Sequence, residues 1–272
     1  MTGFRFGVVA APQGPGEAWA GRARRIAGLG YSTLLAPDNL HLHAPMLALA
    51  TAAQAAPDLR IAPFVLAAPL RPARTIAWEA HTLATLTGGR LDLGLGTGRP
   101  DARGEAERLG LPWGSGAQRR AQIVEAIDAL REREADGPRT PVMMAASGPK
   151  ALGLAAERAD VVMLAAQPLT PRGEVGRMAR DLRERAAGRE LEIGMNVFVV
   201  GDEIPDWAVQ WAGDGIADAL RDSDTLAVLR GTPDEMADEL ERRRAELGVS
   251  YFAVAEGFAQ ALAPVVERLT GR

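Results

Sequence analysis

Residues 82–98, TLATLTGGRLDLGLGTG, contain the end of a helix, a strand and a glycine-rich turn in direct succession. Apolar residues recur at helical spacing over Pro72–Thr87, and the following Gly88-Gly89 pair is a usual helix stop. Leu91–Leu95 is then a short apolar strand. At its carboxyl end, Gly94–Arg99 supplies glycines that permit unusual backbone angles and close contact with a neighbouring molecule.

The same alternation of short apolar strands and longer helices extends along the whole chain. The predicted strands are Phe4–Val9, Ser32–Ala36, Arg60–Leu66, Leu91–Leu95, Pro141–Ala145, Val161–Leu164, Glu192–Val200 and Ser250–Val254. The predicted helices are Gly16–Leu29, Pro45–Ala55, Pro72–Thr87, Arg119–Arg133, Lys150–Arg158, Pro171–Ala187, Thr232–Leu247 and Phe258–Leu269, with a broken helical stretch at Asp206–Leu229. Because parallel strands need helical crossovers, we predict one α/β domain over residues 1–272, a (β/α)8 TIM barrel. A doubly wound open sheet is the alternative.

Composition excludes several classes of protein. The chain has no cysteine, which rules out disulfides and cysteine-based zinc sites. Its net charge of −4 comes from mixed signs without a basic stripe, so we expect no nucleic-acid partner. No apolar run reaches the length of a membrane span and no secretory leader is evident, so we expect a cytoplasmic protein that does not contact membranes.

Barrel enzymes carry their active sites where the strands end, which selects a few segments as candidates. The second predicted strand leads directly into Asp38, Asn39, His41 and His43. Histidine changes protonation near neutral pH, so these residues are candidates for catalysis, with a polar surface loop as the alternative. His41 and His43 lack a third nearby ligand, so we predict no metal site.

Two further strand ends are candidates for binding. The Gly94–Arg99 turn lacks the third glycine of the dinucleotide fingerprint and precedes a predicted long loop instead of a helix, which disfavours a Rossmann site. After the fifth strand, Ser147-Gly148-Pro149-Lys150 opens a helix whose free N–H groups and positive end suit a phosphate, unless Ser147 is only an N-cap. Trp19, Trp78 and Trp113 are candidates to line a ring pocket or to pack in the core.

Taken in order, these segments resemble the luciferase-like monooxygenase superfamily, and especially its F420-dependent oxidoreductases. The resemblance covers almost the whole chain. It is carried by Phe4–Gly7, Leu29–Leu34 leading to Pro37-Asp38, Thr82–Arg90 continuing to Gly98, Ser147–Pro149, Ala159–Val161 and Gly231–Glu235. The ordered set is specific, whereas each piece alone is not.

The resemblance implies a barrel, usually a homodimer, that holds a cofactor ring at the strand ends. It implies a non-proline cis peptide in the third strand, around Phe64–Ala67, and a phosphate near the loops after the fourth and fifth strands. The implied cofactor-binding residues are Phe64, Val65, Leu66, Ala67, Gly96, Thr97, Gly98, Arg99, Ala146, Ser147, Gly148 and Pro149. The implied catalytic residues are Asp38, Asn39 and His41.

The chain also departs from the pattern. Many F420-using relatives have Asp-His where this sequence has Asp38-Asn39, and asparagine can donate a hydrogen bond but cannot relay a proton. In relatives an acidic residue or a tryptophan often follows the fourth strand, and this sequence has Arg99 there. The main hypothesis is hydride transfer between coenzyme F420 and an activated C=C or C=N bond of a small-molecule or modified-peptide substrate. The alternatives are an FMN-dependent monooxygenase and a non-catalytic barrel that binds a cofactor or partner.

Overall fold

The computed structural model describes residues 3–99, 101–205, 218–220 and 223–271. Its strands are β1 Arg5–Val9, β2 Thr33–Ala36, β3 Arg60–Pro63, β4 Leu66–Ala67, β5 Leu93–Gly96, β6 Val142–Ala146, β7 Val161–Leu164, β8 Glu192–Val197, β9 Val199–Val200, β10 Val228–Leu229 and β11 Val249–Ala255. Its α-helices are α1 Gly16–Gly28, α2 Pro45–Ala55, α3 Ala73–Leu86, α4 Ala102–Arg108, α5 Gly116–Arg133, α6 Pro149–Arg158, α7 Arg172–Ala186, α8 Pro233–Leu247 and α9 Ala259–Leu269. Short 3-10 turns occupy Ala68–Leu70 and Glu256–Phe258.

The main sheet is parallel and curls into a barrel. Its strand order is β3-β2-β1-β11-β8-β7-β6-β5-β4. The two outermost pieces, β3 and β4, are halves of the single strand predicted at Arg60–Leu66. Since β3 pairs with β2, β4 pairs with β5, and Ile61 bridges to Leu91, one interrupted strand joins both ends of the sheet. The predicted α/β barrel is therefore confirmed.

Two apolar layers hold the barrel together. Inside it, Leu35, Met143, Met163 and Tyr251 pack into one buried cluster. Outside the strands, a larger core fills the space between the sheet and the surrounding helices. None of the helices within the described ranges is long and apolar enough to cross a bilayer.

A buried charge network fills the amino-terminal end of the barrel. Asp92 is fully buried and forms ion pairs with both Arg5 and Arg60, and Arg5 also reaches Glu192 at 3.1 Å. Burial raises the pKa of Glu192, although the charge and hydrogen bond of Arg5 oppose that shift. Buried carboxylates need such partners, so this end of the barrel serves stability and the opposite end is left for a site.

Four predicted elements differ from the structure. The third strand is interrupted at 64–65, and the seventh, predicted as Glu192–Val200, is interrupted at Phe198. The long loop expected after the fourth predicted strand contains α4. The predicted broken helix Asp206–Leu229 is wrong at its end, where Val228–Leu229 forms a strand with β9; residues 206–217 and 221–222 lie outside the described residues.

Capping explains two helix starts. Thr232 caps α8 through a capping box with Glu235. A second capping box, between Ser115 and Gln118, starts α5 at Gly116, three residues before the predicted start.

Candidate active site

The carboxyl end of the barrel is lined by small side chains. Alternate residues of a strand face the same side, so the residues two positions after Met143, Met163, Gly194 and Ala253 face the barrel axis one layer higher. These residues are Ala145, Ala165, Asn196 and Ala255. All four are partly exposed, unlike the buried layer below them. These four small, partly exposed residues form what we call the mouth of the barrel.

Asn196 is the polar residue of this layer. Its Oδ1 atom is buried and accepts no hydrogen bond from the described residues. Leaving a buried acceptor unpaired costs about 1–3 kcal/mol, so a donor from a bound molecule would stabilise it. Asn196 was not among the predicted site residues. Its position two residues beyond Gly194 in an apolar strand is the feature that could have indicated it.

The interrupted third strand supports one side of the mouth. The Phe64-Val65 peptide bond is cis, which confirms the expectation placed at Phe64–Ala67. Phe64 and Val65 are half-buried, and Phe64 packs on the interior cluster. Leu66 and Ala67 are buried in β4 beside β5. Among the four cofactor-binding residues predicted in this strand, Phe64 and Val65 are therefore more accessible than Leu66 and Ala67.

Glycines of β5 make room for this interrupted strand. A Cβ on Gly96 would lie 2.6 Å from Val65 Cγ2, and a Cβ on Gly94 would lie 2.0 Å from the carbonyl oxygen of Pro63. Glycine is therefore required at both positions, because the Val65 side chain lies against Gly96 and the Pro63 backbone lies against Gly94. The sequence suggested close contact with a ligand at these positions, and the structure gives a packing reason for both glycines.

We expect Gly94→Ala to destabilise the protein by about 2–3 kcal/mol, because the added methyl must push β3 away from β5. Urea denaturation measures the change. The matched control is Gly104→Ala, where nothing lies within 4 Å of an added Cβ and the residue is in α4. That variant should be neutral or more stable by up to about 1 kcal/mol. Equal stability of the two variants would contradict this packing account.

A tryptophan covers the turn after β5. Gly98 has φ +84°, and a Cβ there would lie 2.6 Å from the indole of Trp113. Trp113 also packs on the cluster of Ala67, Leu70 and Ala106, and the Arg119 guanidinium lies 4.5 Å from its ring centroid. The indole thus occupies the space beside Gly98, while neighbouring Thr97 is half-buried. The predicted phosphate contact of Gly98 stays a prediction.

The other two tryptophans lie away from the mouth. Trp19 is a buried residue of α1 and donates its indole N–H to the carbonyl oxygen of Ala48 at 2.8 Å. Trp78 lies on the outer face of α3 and is 60% exposed. Only Trp113 of the three candidates is therefore at this edge of the barrel.

Asp38 is the centre of a polar cluster at the rim. Arg71 donates to both carboxylate oxygens of Asp38, at 2.7 and 2.8 Å, and the Ala67 backbone N–H donates to Oδ2 at 2.9 Å. Burial alone would lower the pKa of Arg71, but its hydrogen bonds with Asp38 outweigh that effect and hold the pKa above the ordinary value. This carboxylate joins the loops after β2 and β4, which is a positioning role.

Arg99 extends the cluster to the turn after β5. Its Nη1 donates to the backbone oxygen of Asp38 at 2.9 Å, and its Nη2 lies 2.5 Å from Glu105 Oε1. The Leu40 backbone N–H donates to the same Glu105 oxygen at 3.3 Å. Arg99 therefore has partners within the protein in the position where the sequence suggested a cofactor contact. Glu105 was missed because its segment was predicted to be a loop.

Asn39 and His41 differ in their surroundings. Asn39 is half-buried next to Asp38, and its side-chain amide has no hydrogen-bond partner among the described residues. His41 is exposed. The structure thus brings Asp38 and Asn39 together at the rim and leaves His41 toward solvent. Their catalytic roles stay predictions.

The predicted phosphate segment lies at the start of α6. Ala146 is the buried last residue of β6, and Ser147, Gly148 and Pro149 are exposed. Gly148 is the N-cap residue, without a side-chain hydrogen bond, so the alternative of N-capping by Ser147 is wrong. The unpaired N–H groups of a first helical turn attract anions, and here they lie next to the barrel rim.

Tyr251 belongs to the buried interior cluster below the mouth. Burial raises the pKa of Tyr251, in the layer below, to about 12, so its phenol is neutral at physiological pH and is not a base there. Within the described residues, no three histidine or acidic side chains form a group that could hold a metal ion.

Comparisons with known proteins agree with this architecture. A family model described as luciferase-like monooxygenase matches residues 4–221. No curated protein matches the chain. The coenzyme F420 dependent tetrahydromethanopterin reductase from Methanopyrus kandleri aligns with a TM-score of 0.77 at 18% identity, covering 98% of this chain and 99% of that one.

Two other solved structures are similar. An F420-dependent secondary alcohol dehydrogenase in complex with an F420-acetone adduct has a TM-score of 0.75 at 16% identity and covers 98% of each chain. The oxygenating constituent of 3,6-diketocamphane monooxygenase from Pseudomonas putida, in complex with FMN, has a TM-score of 0.73 at 14% identity, covering 100% of this chain and 99% of that one. Identities this low show the shared fold alone. Because the family model spans most of its length, the chain belongs to the luciferase-like monooxygenase family.

Proposed function

We propose that this protein is an F420-dependent oxidoreductase that transfers hydride between the deazaflavin and an activated C=C or C=N bond of an organic substrate. The observation that carries the proposal is the mouth of small, partly exposed residues around Asn196, whose buried Oδ1 has no donor among the described residues. Substrates of this class include small molecules and modified peptides.

The residues at the mouth fit a planar, polar-edged ring. Ala145, Ala165 and Ala255 leave room beside the barrel axis, and Asn196 Oδ1 can accept a hydrogen bond from a ring N–H group. The amide groups that start α6, after Ser147, suit a phosphate. When bound, the deazaflavin supplies the hydride, and the protein supplies orientation and polar support.

The chain's own residues then have distinct tasks. Asp38 and Arg71 hold the loops after β2 and β4 in one arrangement, which positions the walls of the mouth. Asn39 can donate a hydrogen bond to the ring or the substrate, because its amide is not used by the described residues. An asparagine cannot transfer a proton as imidazole does, so a proton required by the reaction would come from water or substrate.

An FMN-dependent monooxygenase is the second candidate, and Asn39 in place of the histidine typical of F420-using relatives is what favours it. Purified protein should be titrated in parallel with F420 and FMN, and oxygen uptake should be followed with reduced FMN and candidate substrates. Tight F420 binding without oxygen uptake supports the proposal. Tight FMN binding with oxygen uptake replaces it by the second candidate, and binding of neither favours a non-catalytic barrel.

We also propose that the protein forms a homodimer through the outer faces of α2 and α3. Leu47, Trp78 and Leu86 are 74%, 60% and 67% exposed on these neighbouring helices. Helix α2 carries no charged residue, so its face can meet a second copy of itself without like-charge repulsion. Large exposed apolar side chains grouped in this way indicate an interaction surface.

Replacing Trp78 by Asp should weaken this dimer by about 2 kcal/mol or more, since buried tryptophans dominate interface energies. Sedimentation velocity over a range of concentrations measures the shift from dimer to monomer. Leu109→Asp is the control, because Leu109 is 45% exposed in a different part of the surface. A wild-type protein that sediments as a monomer at high micromolar concentration would contradict the proposal.

A further inference from the structure

A surface groove lies outside the barrel, between α5 and α6. Its volume is about 430 Å³, and Val124, Gly153 and Leu154 form its apolar floor. The groove is separate from the mouth of the barrel, whose residues face the barrel axis. An apolar floor suits the methylene groups of a flexible chain.

Positive charge dominates the walls of the groove. Arg120, Lys150 and Arg185 line it, and Glu157 is the single acidic residue in its lining. Arg185 is paired with Asp181 at 2.7 Å, whereas Arg120 and Lys150 form no ion pair with a described residue. In a chain with a net charge of −4, this arrangement favours an anionic occupant.

The groove begins at the predicted phosphate segment. Pro149 belongs to that segment and also lines the groove, as does the next residue, Lys150. Since α6 starts at the barrel rim, the groove continues from the start of the helix down the outside of the barrel. A ligand whose phosphate lies at Ser147–Pro149 can therefore place a further anionic portion along it.

We propose that this groove binds the acidic tail of the deazaflavin cofactor, an inference that rests on the proposed function. F420 continues beyond its phosphate as a chain of linked glutamates, whereas FMN ends at the phosphate. The tail's carboxylates would pair with Arg120 and Lys150, and its methylene groups would cover Val124 and Leu154. A groove of this charge next to the phosphate segment has a use with F420 and none with FMN.

The first test compares F420 carrying several glutamates with the same cofactor lacking them. Fluorescence titration of the wild-type protein should give roughly tenfold tighter binding of the tailed form, as two or three exposed ion pairs would provide. The advantage should fall with added salt, because exposed charges are screened. In Arg120→Ala/Lys150→Ala, the tailed form should bind no better than the tail-free form. Arg133→Ala/Arg139→Ala, which removes the same charge from exposed positions, should behave like wild type.

The second test uses the fact that Lys150 is the only lysine in the chain. Acylation of its amine by a succinimidyl ester, followed by mass spectrometry, should be slowed severalfold by the tailed cofactor and not by the tail-free form. The amino-terminal amine serves as the internal reference. This measurement needs no variant and no turnover.

The outcomes separate the two proposals. Equal affinity for both cofactor forms, with no protection of Lys150, would overturn the role of the groove and leave the proposed function standing. Failure of both forms to bind would overturn the proposed function and this inference with it.

Discussion

Replacing Ala145 by Phe is expected to abolish F420 binding while leaving the fold intact. Ala145 faces the barrel axis at the mouth and is partly exposed, so a phenyl group there would take the space of the cofactor ring. We expect the dissociation constant to rise on the order of 100-fold, which corresponds to about 2.7 kcal/mol. Ala145 is partly exposed and is not part of the buried core, so the melting temperature should change little.

Fluorescence titration and thermal denaturation of the same preparation test this expectation together. Ala245→Phe makes the same chemical change at an exposed position of α8 and should bind F420 as the wild type does. An Ala145→Phe protein that is stable and retains wild-type affinity would place the cofactor elsewhere. Loss of folding would shift the test to Ala165→Phe, which narrows the mouth from the neighbouring strand.

Arg71→Met is expected to be the most destabilising change at the rim. The side chains of Asp38 and Arg71 are only 3% and 19% exposed, so removing Arg71 leaves a buried carboxylate without its ionic partner. Removing one partner of a buried ion pair lowers the free energy of unfolding by about 3–5 kcal/mol. Because Arg71 is partly exposed, we expect a loss near the lower value, about 3 kcal/mol. Urea denaturation of the wild type and variant gives the difference in unfolding free energy.

The neighbouring Arg74 provides the control. Its side chain is 71% exposed and its nearest carboxylate contacts are at 3.6 and 3.9 Å, so Arg74→Met should change stability by less than about 0.5 kcal/mol. Adding Asp38→Asn to Arg71→Met should recover part of the loss, because the unpaired charge is then removed. If Arg71→Met and Arg74→Met are equally stable, Asp38 and Arg71 do not hold the rim loops together.

The barrel could be predicted because it depends on patterns that each segment carries by itself. Apolar runs of strand length, separated by helices with glycine or proline at their ends, were sufficient to place the eight barrel strands. The interruption between β3 and β4 could not be predicted from local pattern alone, because it depends on Pro63 lying against Gly94 in another strand. The cis bond was expected only through the family resemblance.

The candidate site was predictable to a smaller extent. Polar residues at a strand end indicated Asp38, but its pairing with Arg71, 33 residues away, depends on the fold. The sequence did not indicate Asn196 as a site residue, because it lies among apolar residues of β8. Whether its side chain faces the barrel axis depends on the exact register of the strand. Glycines suggested ligand contacts where the protein's own Val65 and Trp113 fill the space.

We propose that the mouth around Asn196 and the three alanines holds a deazaflavin ring. Titration of the wild-type protein with F420, followed by the fluorescence of the cofactor, is the decisive experiment. We expect a saturable change that Ala145→Phe removes. A flat titration of a folded wild-type protein, or a saturable one that Ala145→Phe leaves unchanged, would contradict it.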